Sequence, residues 1–243
     1  MWSIYRRELG TFFSGLVGYL AIATFLVLLG LLLFVFPDTS LLNYNFATLD
    51  QLFELAPWVF LILIPAITMR LLAEERQQRT LELLLTQPVT PTGIVLGKYL
   101  AAVTIATLAI APTLLYFYTV YELGSPRGNL DVGAVAGSYA GLVLLAAVFC
   151  AVGTLASALT QNQIVAFLAA AVLCFLLHFG FQLLSSLPSF VGSLDALVQQ
   201  LGMEYHYRSI SRGLVLVPDL VYFASLTAWL LYSTVLVLEN RRS

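Results

Sequence analysis

Long apolar runs broken by short polar stretches dominate this chain. Six of them stand out: residues 14–36, 52–72, 96–121, 133–159, 164–184 and 219–238. Each reaches the roughly 20 residues that a helix needs to cross a hydrocarbon core of about 30 Å. Lipid offers no partner for a free N–H or C=O, so spans of this length must be helical. Barrel strands would be about half as long and would alternate in polarity. The pattern predicts an all-α integral membrane protein with six transmembrane helices in a single domain over residues 1–243.

The segments between the runs carry weaker periodicities. In residues 1–13, Trp2, Tyr5, Leu9, Phe12 and Phe13 can share an apolar side while Arg6, Arg7 and Glu8 point to headgroups. This predicts an N-terminal interfacial helix, since aromatic anchors with basic neighbours suit that depth. In the long loop 185–218, Leu194, Leu197, Val198 and Leu201 recur at helical spacing, bounded by Pro188 and Gly202. That predicts a short helix lying on, or dipping into, the leaflet. Periodicity does not distinguish the two.

Composition excludes several classes. The chain is 60% hydrophobic and only 10% charged, where a soluble domain is nearer a quarter charged. A net charge of −2 says nothing about nucleic acid, and no basic stripe is present to bind it. Cys150 and Cys174 lie inside apolar runs and read as small buried hydrophobes. Arg6-Arg7 before an apolar run resembles a twin-arginine signal, but the run has spanning length and no small-residue cleavage site follows.

Charge also orients the spans. Arg6, Arg7, Arg70, Arg76, Arg79, Lys98, Arg241 and Arg242 fall on one side, and only Arg127, Arg208 and Arg212 on the other. The positive-inside rule then puts both termini in the cytoplasm, which an even number of spans allows. The loop 37–51 has no Lys or Arg but holds Asp38 and Asp50, as an outer loop tolerates.

The membrane interior holds little chemistry. Glu54, Glu122, Asp219 and Glu239 fall at span boundaries, and Arg70 and Lys98 are placed to snorkel to the headgroups. His178 is the only titratable group in mid-span, either functional or a neutral imidazole hydrogen-bonding across helices. No lining charge suggests an ionic substrate, and the missing intramembrane acids weigh against an ion-coupled carrier. Pro65 and Pro112 predict kinks. Gly133, Gly137 and Gly141 line one side of the fourth span and predict close helix contact, within the chain or with another subunit. Gly93 to Tyr99 fails as a phosphate loop on spacing and on Tyr99. Thr90-Pro91 is better read as a helix cap and first helical residue. The chain is therefore expected to bind no cofactor and not to be an enzyme itself.

The one dense cluster of charge runs from Met69 to Lys98. The second span is expected to continue past the membrane as a helix, with Glu75 and Arg79 forming an i,i+4 pair. Glu74 and Gln78 have the same spacing. Leu81, Leu84 and Leu85 give an apolar edge, and Pro88 ends the segment. From the residues alone, this is either a docking helix or a solvated connection on the headgroups.

The run Ala73-Glu74-Glu75-Arg76, then Thr80-Leu81-Glu82-Leu83-Leu84-Leu85-Thr86-x-Pro88, then Val95-Leu96-Gly97-Lys98-Tyr99-Leu100 resembles the permease subunits of type-2 ABC exporters. The gliding-motility-associated branch is the most similar. The likeness extends to the N-terminal helix, Arg212-Gly213 and the stretch from Asp219 to Tyr222. It implies that segment 73–90 is a cytoplasmic coupling element docking on a P-loop ATP-binding subunit, with Glu74, Glu75, Arg76, Arg79, Thr80, Glu82, Leu83 and Pro88 at that interface. ATP and magnesium would bind on the partner, and a second permease chain would complete a homo- or heterodimer in the bacterial inner (plasma) membrane. This chain departs from the family pattern at Arg79, where glycine is usual. Arginine there is expected to favour a continuous helix.

Two readings stand after the leading one of an ABC exporter permease. One is a structural or regulatory membrane subunit that anchors an ATPase to an envelope or motility machine. The other, weaker, is an ion-coupled secondary carrier.

Overall fold

A computed structural model describes residues 1–41, 48–80, 89–124, 127–186 and 195–240. Among them helices predominate and no strand occurs. Helix α1 spans Trp2–Ser14 and α2 Leu16–Phe34. Then come α3 at Asp50–Thr68 and α4 at Arg70–Gln77, which together form one long rod, Asp50–Gln77. Helix α5 covers Pro91–Ile110, followed by a 3₁₀ turn at Ala111–Thr113 and α6 at Leu114–Leu123. Helix α7 is Val132–Leu159, and α8 is Gln163–Phe175, leading through a π-helical turn at Leu176–Gly180 into α9 at Phe181–Ser185. Two short helices, α10 at Asp195–Leu201 and α11 at Met203–Ile210, precede α12 at Val217–Glu239.

Five of these rods are long and apolar enough to cross a membrane, and six if α1 and α2 count as one bent span. The bend between α1 and α2 is 70°. It follows Gly15, whose extended backbone ends α1.

Local chemistry explains most boundaries. Thr90 Oγ1 accepts the Gly93 N–H at 3.2 Å, and Pro91 takes the first helical position, so the expected cap on α5 forms. Asp131 caps α7 through the Ala134 N–H, and Asn162 caps α8 through the Ile164 N–H. Pro112 has no N–H to donate and tightens its turn to 3₁₀ rather than breaking the rod. Pro65 lies inside α3, which runs on for three more residues before a joint at Met69.

Helix α7 is the centre of the bundle. It packs on α3, α5, α8 and α12, and its middle is buried almost continuously from Phe149 to Gly153. Small residues allow this close approach. A Cβ added at Gly153 would run into the Thr68 side chain of α3. A second, smaller core sits at one end of the bundle. There Ile4, Leu72, Ile94, Val95, Ala158, Val235 and Leu238 pack together. It gathers the first helix, the rod's extension and the last helix at the same end, so both terminal helices meet there.

Candidate functional site

At that end, three helices converge on one buried amine. Lys98 of α5 is only 1% exposed. Its Nζ lies 2.8 Å from Glu8 Oε1 of α1 and 2.9 Å from Glu75 Oε1 of α4. Arg7 closes the ring, donating to Glu8 at 2.9 Å and to Glu75 at 2.5 Å. Burying an amine without a counter-ion is prohibitive, so the two carboxylates are what allow Lys98 to stay inside. Burial acts to raise the Glu8 carboxyl, but Lys98 and then Arg7 outweigh it and hold it below its ordinary 4.5. Glu75 Oε2 is buried without a hydrogen-bond partner among the described residues.

The cluster departs from the placements expected of its members, Arg7 among them, which pairs with Glu8 and Glu75. Glu8 turns to Lys98 and not to the headgroups. Lys98 does not snorkel, because partners inside the fold reach it first. Glu75 does not pair with Arg79, because its carboxylate is engaged by Lys98 and Arg7. A lysine just inside a predicted span was the available signal, since such a charge calls for a named partner. Arg70, by contrast, lies over the Phe12 ring, 4.7 Å from its centroid.

The joint at Met69 is held by a single side chain of α7. Ser157 Oγ donates to the Met69 carbonyl at 2.9 Å and accepts the Leu72 and Ala73 N–H groups, both at 3.0 Å. Without it the joint would leave buried backbone groups unpaired. Arg76 then reaches past the end of α7 and donates to the Ala158 and Thr160 carbonyls at 2.6 and 3.0 Å. A guanidinium at a helix C-terminus also meets the negative end of its dipole. Glu75 and Arg76 therefore tie the extension to the bundle, one through α5 and α1, the other through α7.

Beyond them the extension is open. Gln77, Gln78, Arg79 and Thr80 are exposed, Glu74 is partly so, and Gln78 Nε2 donates weakly to Glu74 at 3.4 Å. Arg79 adopts φ 57°, the left-handed conformation. The expected helical continuity at this position is not found. Helix α4 stops at Gln77, and the Gln78 and Arg79 N–H groups fold back on the Glu74 and Arg76 carbonyls. The backbone takes the turn that glycine would ease, with arginine in place. Thr80 Oγ1 donates to the Glu75 carbonyl at 3.2 Å. Glu82, Leu83 and Pro88 lie outside the described residues.

The opposite end of the bundle holds a cavity of about 1010 Å³ between the start of α3, the α8–α9 rod and α11. Tyr207 fastens α11 to α3 by donating to the Phe53 carbonyl at 2.7 Å. Asp50, Glu54, Glu204, Arg208 and Arg212 line the cavity beside Trp58, Phe175 and Phe179. A charged lining was not expected. These residues fall at span boundaries or in the loop, up to 162 positions apart (50 to 212), and only the fold brings them together. Burial raises the Glu204 carboxyl, Arg208 opposes this, and nearby Glu54 adds to the rise.

His178 lies in the π-helical turn and also lines the cavity. It is 1% exposed, its ring meets Phe149, Phe179 and Tyr207 edge-on, and its Nδ1 has no hydrogen-bond partner among the described residues. The expected bond across helices is absent at that atom.

The glycine stripe packs within the chain at two of its three positions. A Cβ at Gly137 would meet the Gly213 backbone at 3.2 Å, and one at Gly141 would meet Ile210 Cγ2 at 2.5 Å. At Gly133 the nearest atom is Asp131 Oδ1, part of the helix's own cap.

The model of one protein family, described as ABC-2 family transporter protein, matches residues 36–239. The match takes in every element from α3 to α12 and leaves out α1 and α2. A search of curated proteins finds no match.

Proposed function

The chain belongs to the ABC-2 transporter family, and we propose that it is the permease subunit of an ATP-driven exporter, coupled through segment 73–90 to a separate ATPase. One observation carries this reading. The base of the segment is joined to α1, α5 and α7 by buried polar contacts, while its tip from Gln77 to Thr80 is exposed. A partner gripping the tip would therefore move several helices together rather than bend a loose loop.

Lys and Arg asymmetry favours the cytoplasm for this end, where ATP is available. ATP and magnesium would bind on the partner. Two permeases and two ATPases would form the working unit, in the plasma membrane. The energetic requirement is differential contact: the ATP-bound partner must hold one arrangement of the extension more tightly than the other. Glu75 and Arg76 then act as transmission contacts, and Glu74, Arg79, Thr80, Glu82, Leu83 and Pro88 as the gripped surface. The sequence likeness favours the gliding-motility-associated branch.

The test is co-purification with the ATPase encoded beside this chain, followed by ATP hydrolysis in nanodiscs. Arg79→Glu with Thr80→Glu changes only exposed positions. The expected result is loss of the complex and of vanadate-sensitive turnover, with the permease still folded. An unchanged complex and unchanged turnover would exclude this segment as the grip. An intact complex that moves no substrate would favour an anchoring subunit.

A further inference from the structure

The cavity at the end opposite the termini is not used by the coupling scheme. Its charges fall into two groups on different walls. Asp50 and Glu54 stand one helical turn apart at the start of α3. Arg208 and Arg212 stand at the end of α11 and in the turn after it. Arg208 is already paired, donating to Glu204 at 2.9 Å. Asp50, Glu54 and Arg212 are exposed, and no ion pair joins them to another group among the described residues. Two free carboxylates therefore face the same space as one free guanidinium.

Between and below them the lining is aromatic. Trp58 is 48% exposed and stacks on Phe179 with ring centroids 4.0 Å apart. His178 adds a buried ring nitrogen with no hydrogen-bond partner among the described residues. A buried polar atom that lines a cavity and is left unpaired by the described residues is placed for a ligand group. The volume of about 1010 Å³ lies at the upper end of small-molecule sites, which run to about 1,000 Å³. A small inorganic ion would leave most of it unfilled, and a purely apolar ligand would leave the charges unmet.

We propose that this cavity binds a zwitterionic amphipath: an ammonium held by Asp50 and Glu54, an anionic group held by Arg212, and an apolar portion on Trp58 and Phe179. The guanidinium suits a planar or tetrahedral oxyanion. Two sources share this chemistry, an ethanolamine-type phospholipid headgroup and a free apolar zwitterion such as a short hydrophobic peptide. The inference rests on the transporter reading only for what the binding serves.

Trp58 is its own reporter once Trp2→Phe and Trp229→Phe remove the other two tryptophans. The variant is purified in detergent without any ATPase and titrated with three probes: short-chain phosphatidylethanolamine, short-chain phosphatidylglycerol, and an unblocked leucyl dipeptide. A saturable Trp58 response to the ethanolamine lipid identifies a headgroup site, and one to the dipeptide alone identifies a free zwitterion. Either supports the proposal if Glu54→Gln with Asp50→Asn, and separately Arg212→Gln, weaken binding by about tenfold or more. These positions are exposed, and circular dichroism and elution profile verify that the variants are folded. No saturable response to any probe, an equal response to phosphatidylglycerol, or binding indifferent to the substitutions would overturn it. Because no ATPase is present, this failure is separate from failure of the coupling test.

Discussion

Lys98 Nζ and Glu8 Oε1 lie 2.8 Å apart although 90 residues separate them in the chain. The contact joins α1 to α5, and Glu75 extends it to α4 at 2.9 Å from the same amine. A cation buried to 1% exposure between two carboxylates is a geometric lock. Such groups contribute little net stability over apolar substitutes, but removing one member leaves uncompensated charge.

Lys98→Ala is therefore expected to destabilise the protein by about 3–5 kcal/mol, since Glu8 and Glu75 would face each other with only Arg7 between them. Adding Glu8→Leu and Glu75→Leu is expected to restore much of that loss. Thermal unfolding in detergent, followed by tryptophan fluorescence, measures both. A Lys98→Ala protein as stable as the parent would show that the ion cluster does not hold α1 in place.

The same cluster gives a pH dependence. Burial works against the Glu8 carboxylate, and Lys98 and Arg7 more than compensate, so its folded value lies below the ordinary 4.5. A depressed carboxyl contributes stability that is complete above the unfolded value and lost as pH falls through the folded one. Melting temperature is expected to fall on acidification below about pH 4.5, with a shallower slope in Glu8→Gln. Identical slopes in the two proteins would remove Glu8 as a source.

Arg79 holds φ 57° at the end of α4. For a residue with a Cβ, that conformation costs roughly 1–2 kcal/mol. Arg79→Gly is expected to raise stability by up to about 1 kcal/mol, the remainder being offset by glycine's greater chain entropy. Arg79→Ala keeps the strain and is expected to show no such gain. Paired melting curves distinguish them.

Gly153 permits the approach of α7 to α3. A Cβ there would overlap Thr68 Oγ1 and lie 2.7 Å from Thr68 Cβ. Gly153→Ala is expected to cost about 1–3 kcal/mol by overpacking. Thr68→Ala in the same protein should recover part of it, because the hydroxyl is removed while the Cβ remains. A Gly153→Ala protein with parental stability would mean the helices can separate without penalty.

Some of the site could be read before folding. The Thr90-Pro91 cap needs only neighbouring residues, and the cap forms. The helical extension after the second span was visible because its charges follow an apolar run without a breaker, and α4 carries it to Gln77. What the chain's local order concealed was partnership. Glu75 has Arg79 four residues on, yet its partners are 23 and 68 residues away (75 to 98 and 7 to 75). The i,i+4 rule describes an isolated helix, and tertiary charges in a drier place override it.

Hydrophobic periodicity is a property of the chain and the solvent together, so the sequence alone determined that the protein is helical and membrane-embedded. A bilayer leaves an apolar run of this length no other way to satisfy its backbone. Which charges are free and which are locked was decided only by tertiary packing. Lys98 and Arg79 are both basic residues near the same helix ends. One is buried between two carboxylates and the other is exposed in a left-handed turn. The difference arises because electrostatic free energy depends on distance and burial, and both are set by helices that meet across the fold rather than along the chain.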